Sequence, residues 1–153
     1  MKISTNLIHR LFFVVVTLCA FSASVWGETT ATLSFANKAQ RTSFSTSKQV
    51  WEQNGITFTN DKSSSTSNVA DYAAPVRLYA SSKIAIEAPG NITKIVFDCN
   101  NDSYATALKK SIGNSATASS DKVTVALDGS STSFTIAKLT AQVRMDAITV
   151  TYG

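Results

Sequence analysis

The chain has 153 residues, of which 44% are hydrophobic and 16% are charged, and its formal net charge is +4. This length allows one domain with a hydrophobic core of its own. The basic residues are scattered along the sequence, and only Lys109 and Lys110 are adjacent. A nucleic-acid-binding protein concentrates its basic residues in a patch or stripe, so we expect no nucleic-acid partner.

Residues 1–27 have the organisation of a secretory signal peptide. Basic residues come first, an apolar run follows at residues 11–23, and small residues stand before Glu28. We therefore expect cleavage before Glu28, export to the periplasm, the cell surface or the medium, and no membrane contact of the mature domain, residues 28–153. The apolar run is shorter than the roughly 20 residues that span a bilayer. A retained membrane anchor is the alternative interpretation.

The small number of histidine and cysteine residues limits the chemistry of the mature domain. His9, the single histidine, and Cys19 would leave with the signal peptide, and Cys99 would be the one remaining cysteine. An intramolecular disulfide, a nucleophile activated by histidine and a zinc site of His and Cys are therefore excluded. Paired carboxylates could still hydrolyse glycosides, but nothing in the sequence marks two acids as a buried pair. We therefore expect no enzyme.

After the signal peptide, apolar and polar residues alternate in short runs, which is the period-two pattern of half-buried strands. In chain order these runs are residues 30–35, 56–59, 83–87, 94–99, 122–127, 133–136 and 143–152. Residues that favour turns separate them, such as Asn54-Gly55 and Asp128-Gly129-Ser130. In the last run the alternation changes phase near Asp146 and Ala147, which predicts a β-bulge.

Three stretches depart from this alternation. Residues 61–75 are predicted to form a long polar loop, and residues 114–120 a second flexible stretch. Residues 103–112 are predicted to form a short helix, because apolar residues recur there at every fourth position. Asp102-Ser103 could cap the start of this helix, and Gly113 could end it. About seven to nine short strands with turns between them favour an all-β, two-sheet sandwich over a barrel.

Several of these segments together resemble a jelly-roll-like β-sandwich module of secreted and surface proteins from anaerobic bacteria. The segments that carry the resemblance are residues 50–58, 75–79, 84–86, 92–97 and 143–152. The resemblance extends over roughly residues 30–152 and implies an accessory module that is similar to a carbohydrate-binding module. It brings no catalytic residues with it.

Trp51, with Gln53 and Asn54 beside it, is a candidate carbohydrate site. Binding modules stack sugars on exposed aromatic rings, because the apolar face of a pyranose ring loses water favourably against an aromatic face. Amide side chains at the rim then bond the hydroxyls. Trp51 and Val50 have opposite parity, so one of them faces outward. The alternative is a tryptophan in the core of the sandwich.

A second candidate lies in and after the long polar loop. Tyr72 could stack on a sugar while Asn68 and Asp71 bond its hydroxyls, since loops tend to carry function. The alternative is a ring that folds back over the sheet edge. Arg77 lies in a strand on the same face as Tyr79, and the two could form a ligand platform. Alternatively, Arg77 organises the sheet through a cation–π contact or a carboxylate.

Asp98, Asn100 and Asp102 have the alternating spacing with which a calcium loop begins. The EF-hand pattern fails further along, where Ser103 replaces the glycine and Lys109 replaces the closing glutamate. Calcium is therefore one candidate ligand, and no other cofactor is expected. The alternative is a turn followed by a helix cap, for which Asn and Asp are the expected residues.

The sequence as a whole predicts a secreted, non-catalytic β-sandwich that binds carbohydrate or another cell-surface polymer. The alternative is a structural or adhesive surface domain that contacts a protein partner.

Overall fold

A computed structural model describes residues 27–153. The predicted signal peptide therefore lies, apart from Gly27, outside the described residues. In chain order these residues form β1 (Thr29–Ser34), a 3-10 helix (Lys38–Gln40), β2 (Arg41–Phe44), β3 (Lys48–Gln53), β4 (Ile56–Asp61), β5 (Val76–Leu78), β6 (Lys83–Glu87), β7 (Ile92–Cys99), α1 (Asp102–Ile112), β8 (Ala116–Ser119), β9 (Lys122–Ala126), β10 (Ser133–Ile136) and β11 (Val143–Tyr152).

The strands form two antiparallel sheets. Sheet A has six strands in the order β1-β11-β7-β9-β8, with β5 paired to β11 as the sixth. Sheet B has five strands in the order β10-β6-β4-β3-β2. The predicted all-β, two-sheet sandwich with one short helix is confirmed. None of the helices in the described part of the chain is long and apolar enough to cross a membrane.

The apolar residues of the alternating runs point between the sheets and form one core cluster. Phe35 is fully buried in this cluster, with its ring edge-to-face against Trp51 at 5.2 Å and against Phe58 at 4.9 Å between centroids. Phe97 of sheet A meets Phe134 of sheet B at 6.3 Å. Each fully buried side chain of this size contributes about 1.5–3 kcal/mol to folding, so this cluster holds the two sheets together.

Strand β11 organises sheet A, because three strands pair with it. On one edge β5 pairs with its first three residues and β1 with its second half, while β7 lies along the other edge. The register with β7 shifts between Met145 and Ala147, which confirms the predicted bulge. Because of this shift, Arg144 before the bulge and Thr149 after it are both only half-buried, while Met145 and Ile148 are buried.

Two local predictions need correction. Residues 114–120 are not loop throughout, since Ala116–Ser119 form β8 against β9. Helix α1 begins at Asp102, and its cap is Asn101, whose side chain accepts a hydrogen bond from the Tyr104 amide at 3.1 Å. The predicted cap at Asp102-Ser103 is therefore one residue late. Gly113 ends the helix as expected, with φ at 94°, which is a region that favours glycine.

Candidate functional site

Trp51 is a core residue, and the prediction that it stacks on a sugar is wrong. Its ring is fully buried and packs against Phe35. Its Nε1 donates a hydrogen bond to Oε1 of Gln49 at 3.1 Å, and Gln49 is buried as well. The core alternative is therefore correct: the strand turns Gln49 and Trp51 inward and leaves Val50 half-exposed.

Gln53 and Asn54, the two amides predicted beside Trp51, tie strands together. Oε1 of Gln53 accepts a hydrogen bond from the Ser34 amide at 2.8 Å. Nδ2 of Asn54 donates to the carbonyl of Thr32 at 2.9 Å. Both bonds reach the backbone of β1, so the turn between β3 and β4 is fastened to sheet A. The structure gives these amides a structural role.

The polar loop predicted at residues 61–75 begins one residue later, because Asp61 still belongs to β4. Residues 62–75 contain no strand or helix, and the loop is anchored at several points. The Lys62 amide donates to the Ser47 carbonyl at 2.7 Å, and the Val69 amide donates to the Thr46 carbonyl at 2.8 Å. The side chain of Val69 is buried. Asn68, a predicted site residue, accepts a hydrogen bond from Nζ of Lys62 at 2.8 Å. Asn68 therefore stabilises this loop through a hydrogen bond within the loop.

Asp71 fastens the end of the same loop to sheet B. Its Oδ1 lies 2.9 Å from Nζ of Lys38 and 2.6 Å from Nη2 of Arg41. These hydrogen bonds, that of Lys38 first and that of Arg41 second, hold the pKa of Asp71 below its usual value of 3.8. Asp71 is therefore a charged anchor, and its carboxylate already has two cations.

Tyr72, directly after this anchor, is exposed and stacks on Arg77. Its side chain is 45% exposed, and the guanidinium carbon of Arg77 lies 3.8 Å from the centre of its ring. The sequence analysis placed Arg77 with Tyr79, which follows it on the same face. The ring that contacts the guanidinium is instead that of Tyr72. Two of the predicted site residues, Tyr72 and Arg77, are thus brought together.

Two residues that the sequence analysis missed extend this pair. Arg144 of β11 is the direct cross-strand partner of Arg77 of β5, and the residues flanking each arginine are buried. Both arginines therefore lie on the outer face of sheet A. The guanidinium carbon of Arg144 lies 5.4 Å from the ring centre of Tyr104 in α1. We call these four residues, Tyr72, Arg77, Tyr104 and Arg144, the arginine–tyrosine cluster.

The positive charge of this cluster is uncompensated within residues 27–153. Three ion pairs join side chains there, and none of them involves Arg77 or Arg144. Nε of Arg144 is buried and has no hydrogen-bond partner. Like charges directly opposite each other across two strands are unfavourable. The cluster therefore places two arginines at paired positions on one face of the sheet, and neither forms an ion pair within residues 27–153. Their N–H donors could bind an anion.

The residues of the predicted calcium site have other partners. Asp98 forms an ion pair with Lys122 at 2.8 Å. Nδ2 of Asn100 donates a hydrogen bond to Oδ2 of Asp146 at 3.4 Å, and Asp102 lies in the first turn of α1. These contacts do not gather the three side chains around one point. Calcium binding stays a prediction that this geometry does not support.

Cys99 is the free thiol of the described residues and is buried. Burial first, and the nearby charges of Asp98, Asp121 and Asp146 next, raise the pKa of this thiol to about 12. A thiol with such a pKa stays protonated at neutral pH, and the thiolate is the reactive form. Cys99 is therefore a core residue and offers no nucleophile.

No protein-family model, curated protein or solved structure matches this chain. Across residues 27–153 no group of three or more His, Cys, Asp or Glu side chains could hold a metal ion. The arginine–tyrosine cluster is thus the strongest candidate site that the geometry offers.

Proposed function

We propose that this protein is a secreted, non-catalytic module that binds a carbohydrate polymer at the arginine–tyrosine cluster. The observation that carries the proposal is the exposed ring of Tyr72, which lies on the guanidinium of Arg77. Only two large apolar side chains of the described residues are exposed, and Tyr72 is one of them. An exposed ring next to hydrogen-bond donors is the arrangement that a pyranose needs for stacking and hydroxyl contacts.

The ring of Tyr72 is held in place before any ligand arrives. Asp71 on one side has two ion pairs, and Arg77 covers a face of the ring. Ordering a side chain on binding costs about 0.5–1.5 kcal/mol. A ring that is already held avoids part of this cost, so the contacts of Tyr72 favour ligand binding.

The outer face of sheet A gives an extended polymer further contacts. A row of side chains crosses five strands in register and contains four threonines, with Val96 between them. The threonines of this row are Thr32, Thr149, Thr124 and Thr117. Along β11 the row lies five residues beyond Arg144, which is about 15 Å at the usual rise of a strand. Hydroxyl groups both donate and accept hydrogen bonds, so this face suits the hydroxyls of a polysaccharide.

The second candidate is an adhesive surface domain, and one observation favours it. Phe44 is the other exposed large apolar side chain, at 41%, and it lies in β2 at the edge of sheet B. Edge strands have unpaired backbone groups to which another chain can add. Protein contact at β2 would leave the arginine–tyrosine cluster unused.

Binding of the purified protein to an array of neutral and acidic glycans tests the proposal. Tyr72→Ala should weaken binding to whichever polysaccharide is bound by about tenfold, which corresponds to about 1.4 kcal/mol, a value expected for a stacked aromatic contact. Tyr152→Ala is the matched control, because Tyr152 is a half-exposed tyrosine at the opposite end of β11.

Thermal melts of both variants must show that the fold survives. Unchanged binding by a folded Tyr72→Ala variant would overturn the assignment of the site. Failure of the folded wild-type protein to bind any glycan would overturn the proposed function and favour the adhesive domain.

A further inference from the structure

We propose that the polymer is anionic and that Arg77 and Arg144 together bind one of its acidic groups, a carboxylate or a sulfate ester. This inference rests on the proposed function and specifies its ligand. It is drawn from the pairing of the two arginines, from their free donors and from the absence of an internal counter-ion among the described residues.

The two arginines occupy paired positions on neighbouring strands of sheet A. Arg77 and Arg144 are Cα partners in the antiparallel ladder of β5 and β11, so their side chains leave the same face from neighbouring positions. Directly opposite residues have Cβ atoms about 4.5–5.5 Å apart. Like charges carried by directly opposite residues repel each other, and an anion bound by both arginines would turn the repulsion into two attractions.

The contact of Arg77 with Tyr72 leaves the N–H donors of Arg77 free for a ligand. The ring of Tyr72 stacks on the guanidinium of Arg77 at 3.8 Å, and stacking uses the flat face of the group. The N–H donors lie in the plane of the guanidinium and point outward from its edge. They match the two oxygens of a carboxylate or sulfate in a bidentate arrangement. Nε of Arg144 is buried without a partner, so the terminal N–H groups of Arg144 are the donors that we assign to the ligand.

Two acids close to the cluster in sequence, Asp71 and Asp146, have other partners. Asp71, next to Tyr72, is held by Lys38 and Arg41. Asp146, two residues after Arg144, accepts a hydrogen bond from Asn100. In the described part of the chain neither acid forms an ion pair with the two arginines. A ligand from outside is therefore the group that would neutralise them.

The aromatic rings define the kind of molecule that carries the acid. The contacts run in the order Tyr72, Arg77, Arg144, Tyr104, so each arginine has a ring beside it. An inorganic anion would contact the arginines alone. A sugar acid contacts the arginines and an aromatic ring, since its carboxylate binds the guanidinium groups while its pyranose ring stacks on Tyr72.

Polygalacturonate and its fully methyl-esterified form are the probes for this inference, because esterification removes the charge and keeps the sugar chain. Affinity electrophoresis or calorimetry should show at least about tenfold weaker binding of the ester, as expected when charge-assisted hydrogen bonds are lost. Dextran sulfate and dextran form the second pair, which separates recognition of a sulfate from recognition of a carboxylate. Binding to the acidic polymer should also fall as salt is raised above about 0.15 M.

Substitutions locate the acidic group. Arg77→Gln and Arg144→Gln should each weaken binding of the acidic polymer by about tenfold and leave the melting temperature unchanged or higher. The control is the double variant Lys48→Gln/Lys83→Gln, which removes two cations from the outer face of sheet B, where they flank Asp61. It should bind as the wild-type protein does.

The outcomes separate this inference from the proposed function. If acidic and neutral polymers bind equally, or if the lysine control weakens binding as much as the arginine variants do, the anion site is wrong while the carbohydrate module survives. If no polymer of either pair and no glycan binds, both proposals fall. If only the acidic forms bind and only the arginine variants lose them, both are supported.

Discussion

Two regions of this molecule place arginine against aromatic rings, and they differ in whether a carboxylate pairs with the guanidinium group. Arg41 of β2 lies 4.3 Å from the ring of Phe44 and 5.5 Å from that of Trp51, and its side chain is only 11% exposed. Its Nη2 holds Asp71 at 2.6 Å. Arg77 and Arg144 have tyrosines beside them but no carboxylate within the described residues.

This difference separates Arg41, which has a partner inside the protein, from Arg77 and Arg144, to which we assign ligand binding. Arg41 joins β2, the core tryptophan and the loop at residues 62–75, so its charge is used inside the protein. One of its terminal nitrogens, Nη1, is buried without a partner, but the neighbouring Nη2 has its counter-ion. In the arginine–tyrosine cluster the arginines contact rings in the same way but form no ion pair within the described residues, and they occupy paired positions. The carboxylate partner, rather than the ring, therefore distinguishes the two regions.

The largest loss of stability is expected for a substitution of Trp51, the core residue beside Arg41. Trp51→Ala removes a fully buried ring that packs on Phe35 and leaves Gln49 without its donor. Large-to-small changes of this type cost about 3–5 kcal/mol. Urea denaturation should show that loss, and Trp51→Phe should lose much less. Near wild-type stability of Trp51→Ala would show that the region around Arg41 is not part of the core.

Smaller losses of stability should distinguish Arg41, which has a carboxylate partner, from Arg144, which has none within the described residues. Arg41→Gln loses the packing of a nearly buried side chain and its bond to Asp71, so we expect about 1 kcal/mol or more of destabilisation. Arg144→Gln removes one of two opposed like charges and should change stability by less than about 0.5 kcal/mol. Thermal melts of the two variants side by side measure this. Equal losses would contradict the distinction drawn between the two regions.

The pH dependence of stability should report on Asp71. The pKa of Asp71 is lowered in the folded protein from its usual 3.8, so the charged form is favoured by folding. Its contribution is therefore fully present above about pH 4 and is lost as the pH falls through the lower, folded-state pKa. The difference in melting temperature between wild type and Asp71→Asn should shrink below pH 4. A difference that stays constant down to pH 2 would show that the two ion pairs do not stabilise the fold.

The smallest effect, no change at all, is expected for Cys99. Its thiol is buried and its pKa is raised to about 12, so it should resist alkylation by iodoacetamide at pH 8 until the protein unfolds. The melting temperature should be the same with and without reductant. Rapid labelling of the folded protein would mean that Cys99 is reachable and reactive.

The sequence was sufficient for most of the architecture and for part of the site. Alternation predicted seven of the eleven strands in the described part of the chain, namely β1, β4, β6, β7, β9, β10 and β11. Its phase change predicted the bulge after Met145, because both signals depend on local side-chain direction. The parity of Trp51 against Val50 did not say which of them faces the core. That choice depends on packing against Phe35 and on the bond to Gln49, which involve partners that alternation does not identify.

The missed half of the cluster has a similar cause. Tyr72 and Arg77 are close in sequence, and both were candidates. Arg144 joins them only because β5 pairs with the start of β11, and that register is set by long-range packing. Tyr104 was read as part of the apolar stripe of α1, which left its contact with Arg144 undetected. Long-range strand pairing, rather than residue type, is therefore the feature of the site that could not be predicted from the sequence.

The binding site is tested most directly by a nuclear magnetic resonance titration of the isotope-labelled protein with oligogalacturonate. We expect the amide signals of Tyr72, Arg77, Tyr104 and Arg144, and the side-chain Nε signals of the two arginines, to shift together and saturate with one dissociation constant. Signals of Lys48 and Lys83 on sheet B should stay in place. Saturable shifts confined to sheet B, or none at all, would contradict the claim that the arginine–tyrosine cluster is the binding site.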